Sequence, residues 1–104
     1  MRFKVASAMD AAPTLTYLEQ FSSSDILLTW EPVTWASGYE VQVDNNADFS
    51  SLEYANSNIS ALLTGDRPSN LSEGSWYWRV RARHEDGKWG QWSEARSFSI
   101  AQSG

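Results

Sequence analysis

Apolar and polar residues alternate over short runs, and clusters of Gly, Asn, Asp, Ser and Pro separate those runs. No stretch holds a 3.6-residue apolar period for three turns, so the pattern predicts strands and no helix. Ile26, Leu28 and Trp30 fall on one face of a strand that Pro32 ends. After Gly38, the residues Tyr39, Val41 and Val43 alternate with Glu40, Gln42 and Asp44, as in a strand with one face on a core and the other in water. The strongest strand covers 75–84, with Trp76, Trp78, Val80 and Ala82 on the inner face and Tyr77, Arg79, Arg81 and Arg83 on the outer. An opening strand near 14–19, weaker ones at 51–55 and 58–64, and a closing strand at 93–100 with Phe98 and Ile100 inward bring the total to about seven. The clusters at 44–48 and 85–88 are turns, 65–70 breaks the strand pattern, and Phe49 is expected to tuck back onto the core. This spacing predicts an all-β, seven-stranded antiparallel sandwich of two sheets.

A chain of 104 residues has room for one domain, here 12–101, with 1–11 as an N-terminal linker and 102–104 as a tail. There are six tryptophans and no cysteine, so disulfides, thiolate metal sites and cysteine nucleophiles are excluded and packing alone must hold the fold. A formal charge of −5 opposes general affinity for nucleic acid or anionic lipid, and the single histidine, His84, argues against a histidine-rich metal centre. No apolar run nears the ~18–20 residues that span a bilayer, and 1–8 lacks the apolar stretch of a complete secretory signal.

Three segments together resemble a fibronectin type III domain: Leu28-Thr29-Trp30-Glu31-Pro32, Gly38 to Asp44, and Gly74 to Ala82. The resemblance implies that they are the second, third and sixth strands of an immunoglobulin-like sandwich, and it covers about residues 12–100. Asp44 to Phe49, with Tyr77 to Ala82, resembles the bacterial branch, whose members recur as modules of large secreted or surface proteins. Strand parity puts Trp76 at the position where the family usually has its corner tyrosine, so an indole N–H would replace the hydroxyl. Trp89-Gly90-Gln91-Trp92-Ser93 is similar to the Trp-Ser-x-Trp-Ser motif of cytokine-receptor fibronectin domains, with Gly90 in place of the first serine. That likeness implies a ladder in which Trp89 and Trp92 interleave with Arg79, Arg81 and Arg83, each stacked pair worth ~0.5–1 kcal/mol when exposed.

The arginine row could grip nucleic acid, but the third strand would lie beside it and offer Glu40, Gln42 and Asp44 as partners. Trp30, Trp76 and Trp78 are core by parity, which leaves Trp35 as the tryptophan without a structural assignment. Its loop would share an end of the sandwich with the turn after His84, so Trp35, His84 and Trp89 form the candidate partner-binding patch. The alternating oxygens of 44–48 faintly resemble a calcium loop but lack its sixth-position glycine and twelfth-position glutamate, so no metal site is assigned. Glu85 and Asp86 beside His84 solvate it at a turn, no serine occupies a nucleophile elbow, and short loops leave no cleft for paired carboxylates, so neither catalysis nor a cofactor is expected. Asn58 and Asn70 head glycosylation sequons that matter only in a eukaryotic secretory host. The expected role is a non-catalytic spacer or adhesive module of a larger extracellular or cell-surface protein. Its partners would be neighbouring domains and a protein or glycan, with no nucleic acid and no membrane insertion. A dedicated glycan- or protein-binding module at the loop end is the alternative.

Overall fold

The computed structural model describes residues 12–100 apart from 23, 24 and 70. The linker assigned to 1–11, the tail at 102–104 and the Asn70 sequon therefore lie outside the described residues. Seven strands follow in order: β1 (Leu15–Ser22), β2 (Asp25–Trp30), β3 (Gly38–Asp44), β4 (Tyr54–Ser60), β5 (Gly65–Asp66), β6 (Gly74–Arg83) and β7 (Arg96–Ile100). They form two antiparallel sheets, one ordered β1-β2-β5 and the other β4-β3-β6-β7, and no helix occurs among the described residues.

The inner faces meet in one core. Ile26, Leu28 and Trp30 from β2 pack with Tyr39, Val41 and Val43 from β3 and with Trp76, Trp78, Val80 and Ala82 from β6. Each set is the apolar half of a period-two pattern, so burying the set fixes the register of its strand. Trp30 meets Tyr39 edge to face, with ring centroids 5.4 Å apart. The Tyr39 hydroxyl accepts from the Val33 amide at 2.9 Å and ties the β2–β3 loop to the core. At the sheet edges, the Tyr54 hydroxyl on β4 donates to Asp66 on β5 at 2.7 Å and joins the two layers. Burial first, and then the bond to Asp66 and its charge, push the Tyr54 pKa up to about 12.

The structure departs from the sequence pattern in several places. The two weak strands expected at 51–55 and 58–64 are one strand, β4. The segment at 65–70 contains β5, which pairs with Leu28 and Thr29 through its backbone and needs no apolar side chains to do so. The closing strand starts at Arg96, not at Ser93, because Ser93 bonds to Val80 of β6 instead. Asp44 follows Glu40 and Gln42 on the outer side of β3, opposite Tyr77, but no arginine pairs with it among the described residues. It is fully buried, and its two carboxylate oxygens accept from the amides of Asn45 at 2.7 Å and Ser51 at 3.0 Å, closing the β3–β4 turn. Phe49, at a positive φ of 56°, swings to the outer face and not onto the core.

Candidate functional site

Antiparallel pairing sets Arg79 opposite Gln42, Arg81 opposite Glu40 and Arg83 opposite Gly38. Because alternate residues share a face, the arginines rise as a column on the outside of the four-stranded sheet. Gln42 Oε1 accepts from Arg79 Nε at 3.0 Å and Nη2 at 2.7 Å. Glu40 Oε1 accepts from Arg81 Nε at 2.8 Å and lies 2.7 Å from Nη2. These bonds hold the guanidiniums flat for stacking.

The aromatic rungs come from two loops. Arg79 lies 4.2 Å from the ring centre of Phe49 and 4.1 Å from that of Trp92. Arg81 lies 4.4 Å from Trp92 and 4.5 Å from Trp89, and Arg83 follows at 5.5 Å from Trp89. The order Phe49, Arg79, Trp92, Arg81, Trp89, Arg83 alternates ring and cation throughout. Burial, and then repulsion from Arg81, lowers the Arg79 pKa below its usual value.

Residues 89–93 can place their indoles there because they run along the edge of β6. Trp89 bridges to Arg83, the Gly90 amide donates to Ala82 O at 2.7 Å, and the Ser93 amide donates to Val80 O at 2.8 Å. The Ser93 hydroxyl accepts from the Val80 amide at 3.0 Å, so a side chain completes the ladder that β7 takes up further along. Trp76 at the corner donates from Nε1 to Ser72 O at 2.8 Å, four residues upstream, where a tyrosine hydroxyl would otherwise serve.

Of the three residues in the candidate patch, the structure brings two together. Trp35 and His84 stack with centroids 4.0 Å apart and planes 9° from parallel. Trp35 also packs against the core and over Gly90, where a Cβ would come 2.8 Å from its Cη2. Trp89 turns instead to Arg81 and Arg83. Ser37 ties the Trp35 loop to the end of β6 by donating from its amide to Arg83 O at 2.7 Å and from its hydroxyl to His84 O at 3.0 Å. Beside the stack lies an open hollow of about 610 Å³ lined by Thr34, Trp35, Ala36, Ser37, His84, Glu85 and Asp86. Sequence reasoning missed Phe49 and Ser93. No periodicity places a turn residue at positive φ, but the ladder left Arg79 without a ring on its far side, next to the β3–β4 turn.

Two layers of three and four antiparallel strands in this order define an immunoglobulin-like sandwich of the fibronectin type III kind. The chain belongs to the family of Rha78A-like, N-terminal immunoglobulin domains, whose sequence profile matches residues 23–103. Its fold is similar to that of the fn3 domain of human contactin 1, solved in solution. That likeness has a TM-score of 0.76 and 19% identity, and it covers 90% of this chain and 80% of the other. No curated protein matches the sequence.

Proposed function

We propose that this chain is a non-catalytic module of a larger secreted or cell-surface bacterial protein, setting the spacing of neighbouring domains and offering a surface for interaction. The observation that carries this reading is the ladder. Arginines and tryptophans that could have formed a binding or catalytic surface on the sheet are engaged with each other, with Gln42 and with Glu40. Such a column stiffens one layer, and stiffness is the physical requirement of a spacer. The family description supports a place ahead of further domains, since it names an N-terminal domain.

A dedicated ligand-binding module is the second reading, favoured by the hollow beside the Trp35 and His84 stack. A glycan array and a partner pull-down with the isolated domain separate the two, using Trp35→Ala and His84→Ala as controls and circular dichroism to check folding. The spacer reading expects no ligand retained through this hollow. Retention that either folded variant abolishes would replace it with recognition.

A further inference from the structure

The ladder treats its three arginines unequally. Arg79 and Arg81 each find an acceptor on β3, whereas the register sets Arg83 against Gly38, which has no side chain to offer. Among the described residues, the Arg83 guanidinium has neither an ion pair nor a hydrogen-bond acceptor, although the residue is half-buried. Its orientation is nevertheless set. The Trp89 ring lies 5.5 Å away, and Nη2 sits so close over Gly38 that a Cβ there would come within 2.8 Å. Its nitrogens stay open to solvent, where a carboxylate can reach them, and the planar fork of arginine matches a carboxylate in bidentate fashion.

We propose that Arg83, at the end of the ladder and backed by Trp89, is a docking point for a single carboxylate side chain of a protein partner. Charge decides between sources of that carboxylate. The chain carries a formal −5, so a polyanion would be repelled along most of its length, whereas one glutamate or aspartate on a protein surface meets only the local cation. Arginine and tryptophan are also the side chains that most often anchor protein interfaces. This proposal builds on the interaction-module reading, but it uses the outer face of the sheet, away from the Trp35 hollow, so either can fail alone.

The test follows the arginine Nε–Hε resonances by ¹H–¹⁵N NMR at low salt while the peptide acetyl-Gly-Glu-Gly-amide is added. Its neutral glutamine analogue serves as control. The proposal expects a saturable shift at Arg83, near-constant resonances for Arg79 and Arg81, and binding about tenfold weaker for the glutamine peptide. Arg83→Lys keeps the charge and removes the fork, so the Trp89 indole N–H, which should follow the same saturable titration in the native protein, should lose it in this variant. An Arg83 shift that is linear and no larger than that of exposed Arg96 would overturn the proposal. A heparin tetrasaccharide that binds at Arg83 more tightly than the glutamate peptide would overturn the choice of a protein partner.

Discussion

Replacing Arg81 with alanine removes the central cation of the ladder. Two ring contacts go, at 4.4 Å and 4.5 Å, each worth about 0.5–1 kcal/mol. The ion pair with Glu40 goes as well. With side-chain exposures of 26% for Arg81 and 11% for Glu40, the pair lies between the surface and buried limits, and the carboxylate left behind is poorly hydrated. An unsatisfied group of that kind costs about 1–3 kcal/mol. The sum is about 2–5 kcal/mol, and at ~4–8 °C per kcal/mol for a domain of this size the melting temperature should fall by at least ~8 °C. Arg81→Lys separates the two parts, since lysine keeps a charge for Glu40 but has no plane to lay on the indoles, and it should recover roughly half of the loss. Urea unfolding followed by tryptophan fluorescence measures both. A loss from Arg81→Ala no greater than that from Arg96→Ala, at an exposed position, would refute the reasoning.

Two further outcomes follow from the interior and the sheet edges. Trp76→Phe removes a donor bonded to Ser72 O, whereas the Trp30 Nε1 is buried without a partner among the described residues. In thermal unfolding, Trp76→Phe should therefore be more destabilising than Trp30→Phe by about 1–3 kcal/mol; equal losses would contradict these assignments. The Tyr54 pKa is raised from 10.0 to about 12, so the folded state holds the hydroxyl proton more tightly than the unfolded state does. The associated stability is complete below pH 10 and is lost as the pH rises towards 12. Denaturant midpoints should fall more steeply over that window in the native protein than in Tyr54→Phe, and parallel profiles would show that Tyr54 is not the titrating group.

What could be read from the sequence was what strand parity controls. Alternation alone placed Trp30, Val41, Trp78 and Val80 on the core, and the strand order implied by the resemblance then aligned Glu40 and Gln42 with the arginine row. Parity says nothing about residues whose positions depend on turn geometry. Asp44 sits on the polar side of its strand pattern, yet the turn after it covers it and supplies the two amides that its carboxylate accepts, in place of an arginine. Phe49 reaches Arg79 only through a left-handed backbone. β5 pairs through main-chain groups of Gly65 and Asp66, which carry no strand-like side chains. Trp89 and Trp35 lie in neighbouring loops, but they divide between the outer face and the sandwich end, because Gly90 between Trp89 and the motif's second half lets Trp35 pack closely against the backbone.

The central claim is that the exposed-looking arginines and tryptophans are engaged with one another. The most direct measurement is the ¹H chemical shift of the Cδ and Nε protons of Arg79 and Arg81 in the folded domain. Guanidiniums stacked on Phe49, Trp92 and Trp89 predict marked upfield ring-current displacement for both residues, lost on unfolding. Shifts at unstructured-peptide values in the folded protein would contradict the ladder, and with it the reading of this face as structural.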